Sequence, residues 1–243
     1  MKIILQKNCS HNKGLKNAFR LMKAVVVVFF LFLSLSCNEN RQTANAEPYW
    51  EDIMDFKKHD SLSFPPQNAI LFVGSSSFTL WTDVQDYFPD YKIINRGFGG
   101  STLANQIHYA ADIIFPYKPK QIIIYCGEND LAFDGVSAAE VFQRFKKLFQ
   151  MIREKFTDLP LAYISMKPSP SRRHLFSKMR EGNQLISDFL ATQKNTAFID
   201  VHSKMLDKAG EPFPEIFLRD SLHMNAKGYA IWQKEIQPFL LKE

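Results

Sequence analysis

The sequence predicts an α/β protein, a three-layer α/β/α sandwich built on a five-stranded parallel sheet. Five short apolar runs, rich in β-branched residues and without polar alternation, have the composition of strands covered on both faces. Longer amphipathic segments separate them, as crossover helices must between parallel strands. The unusual polar and glycine-rich motifs follow the apolar runs directly, at the strand ends where open parallel sheets bind their ligands.

In chain order, the strand candidates are residues 69–74 (AILFVG), 91–95 (YKIIN), 121–126 (QIIIYC), 161–166 (LAYISM) and 196–201 (TAFIDV). Helices are expected over 48–60, 101–115, 138–156, 172–192 and 225–241. The third of these opens on a capping box, Ser137-x-x-Glu140, ahead of Val141, Phe145, Leu148 and Ile152 at helical spacing. No internal repeat or second core interrupts the pattern, so residues 48–243 are expected to form one domain.

The first 47 residues have a different character. An uncharged apolar run at 24–36 (AVVVVFFLFLSLS) follows Lys2, Lys7, Lys13, Lys16, Arg20 and Lys23. It is too short to span a bilayer comfortably and has the length of a secretory h-region. Cys37 comes next, after Leu33-Ser34-Leu35-Ser36. This resembles a lipobox, with Ser34 where leucine is usual, and implies a lipidated Cys37 and a location at a bacterial cell envelope. Ala44-Asn45-Ala46 offers an A-x-A cleavage site as the alternative, and Met22 an alternative start. Residues 1–37 then form a signal peptide and 38–47 (NENRQTANAE) a polar tether. Without 1–37, Lys+Arg falls from 30 to 24 against 25 Asp+Glu, so the net charge moves from +5 to about −1. No basic surface suited to nucleic acid survives. Cys126 is the one cysteine beyond the leader, so stability must come from packing, with no internal disulfide.

Four motifs carry candidate chemistry. The first strand ends in Gly74-Ser75-Ser76-Ser77-Phe78-Thr79-Leu80-Trp81, and a serine on a sharp turn there has an accessible hydroxyl. The second runs into Asn95-Arg96-Gly97-Phe98-Gly99-Gly100-Ser101, where glycines permit close backbone approach and Ser101 is placed to cap a helix. The third ends in Gly127-Glu128-Asn129-Asp130, polar groups that need partners on leaving a buried strand. Near the C-terminus, Asp220-Ser221-Leu222-His223 sets a carboxylate three residues before an imidazole, close enough in a turn to fix its tautomer. Asn225 or Ser221 is a candidate cap for the last helix. Each motif alone also reads as an ordinary turn.

In their order and placement the four motifs resemble the blocks of the SGNH (GDSL-like) hydrolases, from about residue 69 to 229. The resemblance sets Ser76 at the nucleophile position, with Ser75 where aspartate commonly stands. Gly100 matches the second-block glycine, Asn129 the third-block asparagine, and Asp220 and His223 the last-block D-x-x-H. It implies a flavodoxin-like sheet and a serine esterase or acylhydrolase. His223 would act as base and Asp220 would orient it. Ser76, Gly100 and Asn129 would form the oxyanion hole, with no metal or organic cofactor required.

Trp81 and Phe98 are candidates either for a sugar or acyl platform or for ordinary core, with a pocket wall favoured for Trp81. Arg172, in a basic cluster with Arg173, His174, Lys178 and Arg180, reads first as part of a solvated helix face; its place on the expected rim makes it, as the alternative, a candidate anchor for an anionic group. Cys126 reads as packing, and His59, His108, His174 and His202 lack ligand spacing. The expected partner is a small-molecule or glycan ester, with acetylated carbohydrate favoured over lysophospholipid or thioester. A flavodoxin-like binding protein would explain 74–79 but not Asn129, Asp220 or His223. A glycan-binding lipoprotein without turnover would leave a full set of catalytic positions unexplained.

Overall fold

The sheet is parallel throughout, in the order β2-β1-β3-β4-β5. Its strands are β1 (Ile70–Gly74), β2 (Ile93–Gly97), β3 (Gln121–Tyr125), β4 (Leu161–Ile164) and β5 (Thr196–Ile199). In the computed structural model, residues 47–132 and 136–242 are described; Cys37 and the expected leader lie outside them, as does the tether up to residue 46. Register runs Gly74 to Gly97 on one side of β1 and Gly74 to Tyr125 on the other. After β2 the chain crosses β1 to lay down β3, so the strand order reverses between β1 and β3. The C-terminal ends of these two strands therefore frame the crevice where such sheets bind ligands.

The helices in chain order are α1 (Trp50–Leu62), α2 (Ser76–Thr79), α3 (Val84–Tyr87), α4 (Leu103–His108), α5 (Ala110–Ile113), α6 (Glu128–Ala132), α7 (Ala138–Lys155), α8 (Phe176–Ala191) and α9 (Ala226–Ile236). The expected helix over 101–115 breaks at Tyr109 into two short pieces. Its cap is Thr102, not Ser101: Thr102 accepts the Asn105 N–H and Asn105 reaches back, a reciprocal box. Ser101 is instead wholly buried, its hydroxyl donating to the Phe98 carbonyl. The Ser137–Glu140 box closes at the start of α7, and Asn225 caps α9 through the Lys227 and Gly228 N–H groups.

Side chains alternate across the strands, and each face is covered. On one, Phe72, Tyr125, Ala162 and Ile164 join Trp232 and Ile236 of α9 in a single apolar cluster. The Tyr125 and Trp232 rings meet edge to face at 4.6 Å. On the other, Tyr163 lies against Phe145 of α7 at 4.9 Å.

Trp81 belongs to the first cluster and does not line a pocket. It is 0 % exposed, stacked on Tyr229 at 4.7 Å and edge-on to Tyr87 and Trp232. Helix α2 is one turn long, so five residues after Ser76 the chain has already descended into the core. Phe98 is likewise fully buried, edge-on to Tyr109, and is core as well. Trp81→Ala should therefore destabilise the domain by about 3–5 kcal/mol in urea denaturation. Leu80→Ala, at an exposed neighbouring position, should cost under about 1 kcal/mol.

Candidate active site

Gly74 lies so close to β3 that a Cβ there would come 2.0 Å from the Tyr125 carbonyl oxygen, so glycine is required where β1 turns out of the sheet. Ser75 is extended (φ −104°) and α2 begins at Ser76. Ser75 and Ser77 are buried, 4 % and 2 % exposed, leaving Ser76 as the accessible hydroxyl of the three. Being first in its helix, the Ser76 N–H has no intrahelical acceptor.

A second loop reaches this hydroxyl from 147 residues away, with His223 Nε2 3.0 Å from Ser76 Oγ. His223 Nδ1 lies 2.6 Å from Asp220 Oδ2, and the other carboxylate oxygen accepts the Leu222 and His223 N–H groups. Desolvation disfavours the charged carboxylate, but those two N–H groups and the imidazole outweigh it and hold the Asp220 carboxyl down to about 2. An ionised carboxylate only accepts, so Nδ1 carries the ring proton and Nε2 is left to accept from Ser76. The turn depends on Ser221, which sits at φ +55° and brings Asp220 back over the imidazole. The Leu218 N–H closes it on the His223 carbonyl at 2.7 Å, and a bridge between Phe217 and Met224 fastens its base.

The other two motifs converge on the same edge. The Gly74 carbonyl accepts from the Phe98 N–H at 3.0 Å and from the Gln106 amide at 3.1 Å, drawing the glycine-rich loop onto the end of β1. Gly100 in that loop has φ +79°, a conformation that favours glycine. Asn129, 6 % exposed, donates Nδ2 to the Ser101 carbonyl at 3.0 Å. Asp130 ties the third motif to α4, accepting the Leu103 N–H and pairing with Arg144 at 2.7 Å. Burial pushes its carboxyl pKa up, against the pull of Leu103 and Arg144. Thus Ser76, His223 and Asp220 form one hydrogen-bonded line, and Gly100 in its loop and Asn129 in the first turn of α6 are joined through Ser101.

Arg172 is partly buried and donates Nη2 to Asn129 Oδ1 at 2.6 Å, whereas its neighbour Arg173 pairs with Glu211 at the surface. Cys126 is wholly buried, and its burial, reinforced by the Asp130 charge, pushes the thiol pKa well up, away from nucleophile chemistry. His202 is buried with Nδ1 on the Met166 carbonyl. Among the described residues no three His, Cys, Asp or Glu side chains converge as metal ligands would.

The sequence profile of the GDSL-like lipase/acylhydrolase family matches residues 60–231. The chain belongs to that family. It is an ester-bond hydrolase on the α/β fold its relatives share. A Streptococcus pneumonia structure provisionally named a platelet activating factor superposes with TM-score 0.70 at 20 % identity, covering 86 % of this chain and 99 % of its own. A GDSL-like lipase of Bacteroides thetaiotaomicron gives 0.65 at 17 %, over 76 % of this chain and 95 % of that one. An acetylxylan esterase of Geobacillus stearothermophilus gives 0.59 at 14 %, over 72 % and 95 %. An Escherichia coli N-acylneuraminate cytidylyltransferase is 22 % identical over 86 % of this chain, which spans about half (48 %) of that relative's length.

Sequence reasoning missed the contacts that brace this hydrolase's site. Gln106 holds the Gly74 carbonyl 32 residues before it, and Arg144 holds Asp130 14 residues before it. Lys167 and Glu128 form a buried ion pair at 2.9 Å, 3 % and 4 % exposed, joining the end of β4 to α6. Charged residues just beyond two buried strands were the available signal, and composition alone does not pair them. The Asp220 environment makes a prediction. Its carboxyl sits below the ordinary value of about 3.9, so its stabilising effect is present above that pH and is lost as pH falls toward about 2. Thermal melts should show Asp220→Asn less stable than the parent at neutral pH, with the gap closing between about pH 4 and pH 2.

Proposed function

We propose that this hydrolase removes short acyl groups, acetyl above all, from carbohydrate esters through a Ser76–His223–Asp220 triad. The observation that carries the reading is the unbroken line from the Ser76 hydroxyl through the imidazole to a carboxylate held ionised. In this mechanism Ser76 Oγ attacks the ester carbonyl as its proton passes to His223 Nε2, and Asp220 stabilises the imidazolium. Negative charge on the former carbonyl oxygen is met by the Ser76 and Gly100 N–H groups and by the Asn129 amide. The tetrahedral adduct collapses as His223 returns the proton to the leaving alcohol, giving an acyl-Ser76 ester. Water, deprotonated by the same imidazole, then attacks the acyl-enzyme and releases the acid.

Two considerations favour short acyl groups on sugars. An acetylxylan esterase has the same fold, and the segments joining the four motifs are largely taken up by the sandwich's own helices. We further propose that Cys37 carries a lipid and tethers the domain to a bacterial envelope membrane. The basic and apolar segments before it support that placement.

Ser76→Ala should lose ~10³-fold or more in p-nitrophenyl acetate hydrolysis. An inactive Ser75→Ala beside an active Ser76→Ala would overturn the register. Across acetyl to octanoyl p-nitrophenyl esters, kcat/KM should peak at acetyl; a peak at octanoyl would point to a lipid acylhydrolase instead. In cells, Cys37→Ser should move the full chain out of the membrane fraction, and unchanged membrane retention would contradict the anchor.

A further inference from the structure

We propose that Arg172 is a positioning residue that sets the orientation of the Asn129 amide in the oxyanion hole, rather than an anchor for an anionic part of the substrate. This rests on the triad reading above.

An asparagine serving as an oxyanion donor has an inherent weakness. Its terminal torsion is broad and roughly two-fold, and the amide turned over presents a carbonyl oxygen where a hydrogen is needed. That orientation would repel the developing negative charge. At Asn129 two neighbours remove the ambiguity. Arg172 Nη2 lies 2.6 Å from Oδ1, and a guanidinium has donors and no acceptor, so it can hold only the oxygen end of the amide. The Ser101 carbonyl lies 3.0 Å from Nδ2 and can only accept, so it holds only the nitrogen end. Both contacts select the same rotamer. One Nδ2 hydrogen is used on Ser101, adjacent to Gly100, and the second remains for an oxyanion. The bond from Arg172 is charge-assisted, which also polarises the amide toward donation.

Arg172 is itself delivered by a fastened segment. Beyond β4, Lys167 forms the buried pair with Glu128, next in sequence to Asn129. The Ser171 N–H donates to the Ser221 carbonyl at 3.1 Å, inside the Asp220–His223 turn. A single stretch, 167–172, thus contacts the third motif twice and the last motif once. Arg172 stands where those two loops meet.

The test uses p-nitrophenyl acetate, which has a neutral acyl group that an anion anchor would not serve. Arg172→Ala should lower kcat roughly ten- to a hundred-fold, less than the ~10²–10³ expected when a donor is deleted outright in Asn129→Ala, with KM changed by less than about three-fold. In an Asn129→Ala background the same Arg172→Ala change should cost less than about three-fold, because the group it orients is gone. Arg172→Lys, also donor-only, should recover part of the lost kcat. If Arg172→Ala does not fold, Arg172→Lys takes its place in the cycle, with a smaller kcat loss that again vanishes in the Asn129→Ala background. The proposal fails if the two substitutions are additive. It also fails if Arg172→Ala raises KM alone, or if it leaves acetate hydrolysis intact. Ser76→Ala measured alongside separates the two levels. A live Ser76→Ala overturns both the triad reading and this one, whereas a dead Ser76→Ala with an additive cycle overturns Arg172 alone.

Discussion

The carbonyl oxygen of Gly74, the last residue of β1, holds the site together by receiving hydrogen bonds from Phe98 and Gln106 while its own residue is pressed against Tyr125 of β3. It lies at the reversal of strand order, so whatever follows β1, β2 and β3 emerges into one crevice. Through it the glycine-rich loop is drawn over the end of β1, beside Ser76. Without that approach Ser101 could not receive the Asn129 amide, and the donors of the proposed oxyanion hole would have no common focus. The absence of a Cβ at position 74 is thus a geometric condition for the proposed chemistry, since any side chain would force β1 and β3 apart where they lie closest.

The last motif obeys a different constraint. It arrives after the sheet is complete and has no strand to aim it. Its position comes from the Ser221 left-handed turn, the Phe217–Met224 bridge and the Asn225 cap that starts α9. Helix α9 is then anchored by Trp232 in the core beneath β1 and β3. The Tyr229 hydroxyl on the same helix donates to the Ser77 carbonyl at 2.9 Å, one residue past the serine that His223 must reach. The histidine loop and the serine turn are thereby locked to each other from below as well as across the site. Trp81, stacked on Tyr229, serves that lock.

The sheet was legible because strands buried on both faces need continuous apolar runs: four of the five runs became strands with only their ends trimmed, and the second, expected over 91–95, moved on to Ile93–Gly97, taking Arg96 and Gly97 from the glycine-rich motif into the sheet. The convergence of the four motifs was legible because each lies at or near a strand end, and the strand ends of an open parallel sheet share one edge. What sequence did not disclose depends on three-dimensional proximity. Trp81 follows a site motif closely but turns inward, since a one-turn helix reverses direction within four residues. Ser101 has the composition of a cap, yet its hydroxyl donates to the buried Phe98 carbonyl and accepts from the Gln106 amide, leaving Thr102 to cap. Arg172 looked like one of several solvated cations; only its partner, 43 residues earlier, distinguishes it from Arg173 beside it.

The central claim is that the Ser76 hydroxyl is made nucleophilic by His223. A fluorophosphonate probe tests this directly, because it phosphonylates an activated serine with loss of fluoride and needs no assumption about the natural ester. Intact-mass and peptide mapping should find one adduct, on Ser76, forming far more slowly in His223→Ala and not at all in Ser76→Ala. An adduct on Ser75 or Ser77, or labelling of Ser76 at an undiminished rate without the imidazole, would contradict the account.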